Sequence, residues 1–512
     1  MFPNDFLWGV SSSGFQFEMG DPEGKWIDHN TDWFVWVHDR KNIEKGVVSG
    51  DLPENGVNYW ELYKVDHGIA EELGLNAYRL GIEWSRIFPR DTYSVDVGVE
   101  RASDGFISRV DVDDDVLERL DKLADKDALR HYRDVILDLR ERGFKVFVCL
   151  NHFTLPLWLH DPIVVRDSNL RRGPKGWVDE SSIAEFVKYV AYIAWQLGDI
   201  VDYWATFNEP VIVAEIGYTN PDAGFPPCLK SFGAFKKAAV HMAIAHARAY
   251  DVIKEIDNVR AYDESRSPAE VGVIHSVIPA YPCNPSKDSD VKATEFFNHT
   301  HNLFFVEAVT TGWLDANING VREKNEVKSY MSERLDWLGV NYYTRIVFRG
   351  RFALVAKLFA GMPVIPSMVK GYGFACDRNS VSLDNRPTSD FGWEIYPEGL
   401  ADSLKMMRKY GRPMYVTENG IADFNDTLRP RYIIDHIRML EKAVTDEKID
   451  VKGYFHWALT DNYEWAQGFR MKFGLYAIDL NTKKRIPRNS SKIFREIVEY
   501  NGVPSNIESR SL

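Results

Sequence analysis

Short β-favouring apolar runs alternate along the chain with longer stretches in which apolar residues recur at helical spacing. Eight of the short runs predict strands, at Phe6–Val10, Leu75–Leu80, Lys145–Leu150, Val201–Phe207, Val271–Val277, Leu335–Val340, Met414–Glu418 and Val451–Phe455. The main helical stretches lie between them, at Tyr59–Leu73, Asp127–Arg142, Ile183–Leu197, Phe235–Ile256, Phe296–Thr311, Glu398–Tyr410 and Arg431–Thr445.

Regular alternation of strands and helices is typical of a parallel sheet that closes on itself. The pattern predicts an α/β fold, a (β/α)8 TIM barrel with long βα-loop insertions. We find no linker composition that would divide the chain, so we expect one barrel domain over residues 1–512.

Two connections are much longer than the others. Asp91–Lys126 is highly charged, especially at Asp111–Asp115, and is predicted to be a solvated, irregular insertion. Arg345–Asp390 is rich in glycine and proline and contains an apolar segment, Ala353–Val369. Long loops often form lids, binding rims or contacts, so this segment is a candidate substrate lip, subunit contact or membrane-facing patch. Membrane association is not favoured, because Pro363 and other interruptions break any spanning helix.

Composition and charge exclude several functions. The 512 residues are 45% hydrophobic, which is typical of a globular protein, and the net charge of -13 argues against nucleic-acid binding. The four cysteines are widely spaced and include no CxxC pair, so we expect buried free thiols in a reducing compartment. The first residues, 1–5, contain no basic region before an apolar run, which predicts a cytoplasmic protein.

Two predicted strands end in a glutamate beside an asparagine. Asn208-Glu209-Pro210 follows the fourth strand, and Glu418-Asn419-Gly420 ends the seventh. Either motif alone is more often a helix cap or a loop charge. Because all strands of such a barrel end at one mouth, their joint occurrence predicts two carboxylates that face one pocket. Other candidates at or just after strand ends are Arg79, His152, Tyr343 and Trp457.

These other candidates also have ordinary structural interpretations. Arg79 could hold a carboxylate ionised or form a surface salt bridge, and His152 after a strand is more often structural than catalytic. Gln16 alone is best interpreted as a surface amide. HExxH, GxSxG and a glycine-rich dinucleotide fingerprint are all absent from the sequence, so we expect no metal and no cofactor.

A pair of carboxylates across a barrel mouth suits hydrolysis of a glycosidic bond. One acid protonates the leaving oxygen while the other attacks or stabilises the anomeric carbon. A separation of about 5 Å implies retention of configuration, and about 6.5–9.5 Å implies inversion, which leaves both outcomes open from spacing alone. The 15 Trp, 24 Tyr and 29 Phe are mostly core residues, but several cluster beside the polar motifs, as sugar binding requires.

Several motifs together resemble glycoside hydrolase family 1, over nearly the whole chain. They include Thr206–Pro210 and Tyr415–Gly420, and also Phe6–Gly9, Glu83–Pro89, Gly392–Gly399 and Asp461–Trp465. Three further motifs resemble the β-glucosidases, β-galactosidases and β-mannosidases of hyperthermophilic archaea, at Asp32–Trp33, Ser49–Gly56 and Trp158–Pro162.

The resemblance implies a retaining double displacement. Glu418 would be the nucleophile, and Glu209 would act first as acid and then as base. Arg79 and Tyr343 would hold Glu418 ionised and in place, and Asn208 would bond the sugar 2-hydroxyl.

The resemblance also implies a sugar-binding set. Trp457 would be the stacking floor, and the hydroxyls would contact Gln16, His152, Glu464 and Trp465. Phe473 and Met471 occupy places that hold Tyr and Lys in the branch acting on 6-phosphorylated sugars, and Glu464 would repel phosphate. We therefore expect an unphosphorylated sugar. Phe153–Pro156 departs from the Trp-Asp-x-Pro pattern that is common in the family, so the resemblance does not predict which aglycone is preferred.

The implied enzyme is thermostable and exo-acting, and it releases terminal β-linked glucose, galactose or mannose from small β-glycosides or oligosaccharides. The sugars are not ranked, so a β-mannosidase-selective enzyme is one alternative. A sugar-binding barrel without catalysis is another, although it would typically lack one of the two glutamates. We expect a homo-oligomer, a dimer or tetramer.

Overall fold

The computed structural model describes residues 1–201, 203–258, 261, 268–323, 325–352 and 364–507. Its strands in chain order are β1 (Leu7–Ser11), β2 (Ala77–Gly81), β3 (Gly98–Arg101), β4 (Ile107–Asp111), β5 (Lys145–Cys149), β6 (Tyr203–Asn208), β7 (Glu270–Ser276), β8 (Ala280–Pro282), β9 (Trp337–Asn341), β10 (Ile346–Phe352), β11 (Val364–Met368), β12 (Met414–Asn419), β13 (Val451–His456), β14 (Tyr476–Ile478) and β15 (Arg485–Pro487).

The helices follow the same order: α1 (Gly14–Phe17), α2 (Asp32–His38), α3 (Arg40–Glu44), α4 (Tyr59–Glu72), α5 (Trp84–Ile87), α6 (Asp114–Asp121), α7 (Lys126–Glu141), α8 (Pro162–Ser168), α9 (Ser181–Leu197), α10 (Pro210–Thr219), α11 (Phe232–Ile256), α12 (Asp288–Phe297), α13 (Phe304–Thr311), α14 (Glu398–Met407), α15 (Arg429–Thr445) and α16 (Asn489–Tyr500). A wide π-helical turn, Asn298–Leu303, separates α12 from α13, where the sequence predicted one helix over 296–311.

Eight strands close into a barrel, in the ring order β1-β2-β5-β6-β7-β9-β12-β13, and all neighbouring pairs are parallel. The predicted (β/α)8 fold is confirmed. Each predicted barrel strand lies within two residues of the observed one at both ends. One predicted strand position, Asp202, lies outside the described residues. The boundary of a single domain over 1–512 stays a prediction.

Bulky side chains fill the barrel interior. The Phe147 and Tyr203 rings stack with centroids 4.4 Å apart, and Trp337, Tyr415 and Phe455 each pack edge-on against Phe147. The interior is therefore a packed core rather than a channel, and polar groups can gather only where the strands end.

One glycine makes this packing possible. A Cβ on Gly272 would lie 2.3 Å from the Trp337 ring, so only glycine leaves room for that indole inside the barrel. Cys149 is buried in the same interior, whereas Cys228, Cys283 and Cys376 are only partly buried. The expectation of buried thiols thus holds for one cysteine of the four.

The prediction that the insertion at 91–126 is irregular is wrong. This stretch forms the β3–β4 hairpin and helix α6, and some of its apolar side chains, such as Ile107 and Leu120, are buried in the main core. The acidic run is solvated as predicted, since the acids at 113, 114 and 115 are exposed. Asp113 is a helix cap, since its carboxylate accepts from the Val116 amide, and the acids at 114 and 115 lie in the first turn.

The long connection at 345–390 is partly ordered into a sheet. β10 pairs with β8 on one side and with β11 on the other. Residues 353–363 lie outside the described residues, so the proposed roles of the Ala353–Val369 segment stay untested. Among the helices that the structure describes, none is both long and apolar enough to span a bilayer.

Candidate active site

The two predicted glutamates lie at the mouth of the barrel, where strands β6 and β12 end. Glu418 is the penultimate residue of β12, and Glu209 follows Asn208 directly at the end of β6. Glu209 has φ 48° and ψ 56°, and Pro210 is the first residue of α10. This sharp left-handed turn directs the chain from the strand into the helix, and such conformations are found at functional sites.

The Glu418 carboxylate is bound on both oxygens. Arg79 Nη1 donates to Oε1 at 2.5 Å, and the Tyr343 hydroxyl donates to Oε2 at 2.6 Å. The Arg79 side chain is completely buried, and Glu418 is 4% exposed. A guanidinium and a phenol directed at one buried carboxylate favour its negative charge. Burial and the charge on Glu418 in turn raise the pKa of Tyr343 well above its usual range.

Glu209 has a contrasting environment. Burial, reinforced by the nearby charge of Glu418, raises the pKa of Glu209 to about 8. Its Oε1 accepts a hydrogen bond from Asn341 Nδ2 at 2.9 Å, which partly offsets the increase, as does Arg79. At neutral pH Glu209 is therefore mostly protonated. Arg79 binds the Glu418 carboxylate directly, and its positive charge offsets only a small part of the increase in the pKa of Glu209.

A continuous chain of hydrogen bonds joins the two carboxyl groups. From Glu209 it passes to Asn341, whose Nδ2 also donates to Asn208 Oδ1 at 3.0 Å. Arg79 Nη2 donates to the same Asn208 oxygen at 2.8 Å, and Arg79 Nη1 reaches Glu418. The two glutamates thus belong to one polar cluster, as the sequence predicted.

The aromatic wall of the pocket also includes the predicted residues. The His152 ring lies nearly parallel to Trp457 at 5.9 Å and to Trp465 at 5.8 Å. His152 Nδ1 faces Arg79 Nη2 at 3.1 Å, and burial together with that cation lowers the pKa of His152 well below its usual range. His152 is therefore a neutral hydrogen-bonding group.

Gln16 and Glu464 lie together on the same side of the mouth. Gln16 Nε2 donates to Glu464 Oε2 at 3.3 Å, and the Ser13 hydroxyl donates to Gln16 Oε1 at 2.8 Å. Burial, followed by the charges of Glu418 and Glu209, raises the pKa of Glu464 to about 8. Glu464 is thus electrostatically part of the same pocket.

Phe473 is buried and packs against Tyr343, with the two ring centroids 6.1 Å apart. It therefore packs against a residue that binds Glu418.

The sequence interpretation missed two polar residues that complete the cluster. Asn341 ends β9, and Thr417 precedes Glu418 on β12; the Thr417 hydroxyl donates to Asn341 Oδ1 at 2.8 Å. Asn341 stands at a strand end like the other candidates, and that position was the available signal. Thr417 faces the barrel interior like Tyr415 two residues earlier, and this alternation along β12 was the available signal.

Glu83 is a third missed residue. Its Oε1 accepts from the Phe15 amide at 2.9 Å, and its Oε2 accepts from the Thr154 hydroxyl at 2.6 Å. It thereby joins the segment after β1 that carries Gln16 to the segment after β5 that carries His152. Burial, together with the neighbouring Glu18, raises the pKa of Glu83 to about 8.

Among the described residues, no three His, Cys, Asp or Glu side chains lie together in a way that could hold a metal ion. The polar cluster consists instead of carboxyl groups opposite amide, guanidinium and phenol donors.

A parallel barrel with two buried carboxyl groups at its mouth, one bound by a guanidinium and a phenol and the other with a raised pKa, is an arrangement found in glycoside hydrolases. Comparison with known families agrees, because the model of glycosyl hydrolase family 1 matches residues 1–100 and 122–503. The chain belongs to glycosyl hydrolase family 1, and the resemblance drawn from the sequence is confirmed.

Individual relatives cover the whole chain. A β-galactosidase of Pyrococcus woesei is 53% identical over 100% of both chains. The crystal structure of the β-glycosidase from the hyperthermophile Thermosphaera aggregans superposes with a TM-score of 0.89, at 45% identity, and covers 100% of this chain and 99% of that one. A β-glucosidase mutant derived from a hyperthermophilic tetrameric structure gives a TM-score of 0.86 at 42% identity, covering 100% and 98%.

Proposed function

We propose that this protein is a retaining, exo-acting β-glycosidase that releases a terminal β-linked glucose, galactose or mannose. One observation carries the proposal: a single pocket holds Glu418 against Arg79 and Tyr343, and holds Glu209 with a pKa raised to about 8. Such a pair supplies a charged nucleophile and a protonated acid at the same pH. The relatives named as β-galactosidase, β-glycosidase and β-glucosidase support this substrate class.

In the first step of the proposed reaction, a Glu418 oxygen attacks the anomeric carbon and the bond to the leaving oxygen breaks. Glu209 donates its proton to that oxygen, so the aglycone leaves as a neutral alcohol. In the second step Glu209, now ionised, takes a proton from water as that water attacks the anomeric carbon. Glu418 is released as carboxylate, Glu209 is protonated again, and the β configuration is retained.

The surrounding residues would bind and orient the sugar. Trp457 would stack on the C–H face of the ring, and Asn208 would bond the 2-hydroxyl. The other hydroxyls would contact Gln16, His152 and Glu464, with Trp465 and Phe473 completing the wall.

Glu418→Ala tests the nucleophile. We expect kcat on a 2,4-dinitrophenyl β-glucoside to fall by at least about 10⁴-fold and to recover partly with azide, which would give the α-glycosyl azide. Glu209→Ala is the matched control, because azide there should give the β-glycosyl azide by attack on the glycosyl-enzyme. Full activity of Glu418→Ala without azide would refute the proposal.

The preferred sugar is tested with matched nitrophenyl β-glucoside, β-galactoside and β-mannoside. Gluco and manno sugars differ at the 2-position, near Asn208 and His152. A kcat/KM for mannoside far above the other two would establish the β-mannosidase-selective alternative. Binding without turnover of all three would indicate the non-catalytic sugar-binding barrel.

We also propose that the protein forms a homo-oligomer in the cytoplasm. One structural relative, the β-glucosidase mutant described above, derives from a hyperthermophilic tetrameric structure, which supports self-association in this chain. Analytical ultracentrifugation at micromolar concentration would test this expectation, and a monomer over the whole concentration range would overturn it.

A further inference from the structure

The amide of Asn341 is the hydrogen-bond donor to Glu209, and its orientation depends on a partner that contacts neither glutamate side chain. Asn341 Nδ2 donates to Glu209 Oε1 at 2.9 Å and to Asn208 Oδ1 at 3.0 Å. Its Oδ1 accepts from the Thr417 hydroxyl at 2.8 Å. An amide can turn over without changing its shape, so its partners decide which end faces the carboxyl group.

The position of Thr417 is itself tightly defined. Its side chain is completely buried, and a Cβ on Gly339 would lie 2.8 Å from its Oγ1, so the missing side chain of Gly339 makes room for the hydroxyl. On the main chain, the Thr417 carbonyl accepts from Ser11 Oγ at 2.6 Å. Thr417 therefore cannot move aside without disturbing β12 and its neighbours.

We propose that Thr417 is a positioning residue for the acid of this reaction: its hydroxyl fixes the Asn341 amide so that Nδ2 faces Glu209. The inference rests on the proposed function, because it assigns to Glu209 the role of the proton donor. Without the Thr417 hydroxyl, Asn341 Oδ1 is left buried without its donor, and Asn208 Oδ1 is then the remaining neighbour that opposes a turn of the amide. To the extent that the amide turns, Oδ1 faces Glu209 in place of Nδ2.

The consequence for the proton on Glu209 follows directly. The Nδ2 donor stabilises the ionised carboxylate, whereas an Oδ1 acceptor in its place stabilises the protonated acid. The other charged groups that act on Glu209 are Arg79 on β2 and Glu418, which follows Thr417 on β12. Tyr343 and Glu464, which lie on loops, also interact electrostatically with Glu209. A change at Thr417 alone keeps all four groups. Loss of the Thr417 hydroxyl should therefore raise the pKa of Glu209.

Thr417→Val and Thr417→Ser separate the hydroxyl from the methyl group. Valine keeps the shape and removes the donor, and serine keeps the donor. We expect the alkaline limb of kcat/KM to move upward by about one pH unit in Thr417→Val, and to stay near the wild-type position in Thr417→Ser. Thr310→Val on α13, which removes a buried hydroxyl from a helix, should not move the limb.

The leaving group gives a second readout that a general packing defect would not produce. A misdirected or weaker acid matters most when the leaving oxygen needs the proton. Thr417→Val should therefore lose about tenfold more kcat/KM on alkyl β-glucosides than on 2,4-dinitrophenyl β-glucoside.

Two results would overturn the inference: limbs that shift equally in Thr417→Val and Thr417→Ser, or an equal loss on both substrates. Glu209→Ala, measured in parallel, tests the proposed function separately. If that variant keeps the wild-type alkaline limb and the wild-type activity on alkyl glucosides, Glu209 is not the acid and the proposed function itself fails.

Discussion

Glu83 is buried between the segment that carries Gln16 and the segment that carries His152. Its replacement by glutamine should make the protein more stable at neutral pH. Burial raises the pKa of Glu83 from the usual 4.5 to about 8. The folded protein thus keeps a proton on Glu83 that the unfolded chain releases above pH 4.5. This contribution to stability is fully present below pH 4.5 and is lost progressively as the pH rises toward 8.

The magnitude follows from the size of the shift. Each pH unit in this interval changes the free energy of unfolding by about 1.4 kcal/mol, so the loss at pH 7 amounts to about 3 kcal/mol. Glutamine mimics the neutral acid: its carbonyl can accept from the Phe15 amide, and its amide can donate to the Thr154 hydroxyl. Glu83→Gln should therefore gain about 3 kcal/mol over the wild type between pH 4.5 and pH 7.

Guanidinium unfolding of both proteins at several pH values between 4.5 and 8 measures this difference. Comparing the two proteins across pH removes any constant effect of the substitution itself. Glu118→Gln, at an exposed position of α6, is the matched control and should give a flat difference. A flat difference for Glu83→Gln as well would show that Glu83 is charged in the folded protein and would refute the reasoning.

Three further outcomes are expected. Tyr343→Phe removes the 2.6 Å hydrogen bond to Glu418 and should lower kcat/KM on aryl β-glucosides by about 10- to 100-fold, because a hydrogen bond to a charged group contributes about 1.5–3 kcal/mol; an unchanged kcat/KM would contradict this. Trp457→Ala should weaken binding of a gluco-configured inhibitor by at least about tenfold in calorimetry, and an equal Kd would argue against stacking. Glu464→Ser should lower the preference for glucoside over 6-phosphoglucoside by at least about tenfold in kcat/KM above pH 8, where the wild-type Glu464 is ionised and repels phosphate; an unaltered ratio there would count against that explanation.

The barrel was predictable because its signals are local. Every barrel strand is a short apolar run bounded by turn residues, and such runs identify strands without knowledge of the partners. The candidate residues were predictable for a related reason, because a position at the end of a barrel strand specifies the face on which a residue lies. The sequence indicated which residues lie at the mouth of the barrel, and the family resemblance suggested the role of each one.

What could not be predicted depends on contacts between distant segments. Asp113 looks like one more charge in an acidic run until the Val116 amide is seen to be its partner. Thr417 and Asn341 are 76 positions apart, and their hydrogen bond exists only because β9 and β12 are neighbours in the ring. Glu83 likewise joins two loops whose proximity arises only when the barrel closes.

The aromatic rings inside the barrel determine how a substrate can travel. Because Phe147 and its neighbours plug the space beneath the glutamates, the pocket is a dead end. A glycan cannot thread through it, and only the tip of a chain can enter. Each released sugar must also leave through the opening by which the substrate entered, so product and substrate compete for the same opening. We therefore expect the release of one sugar per binding event rather than processive hydrolysis of a polymer.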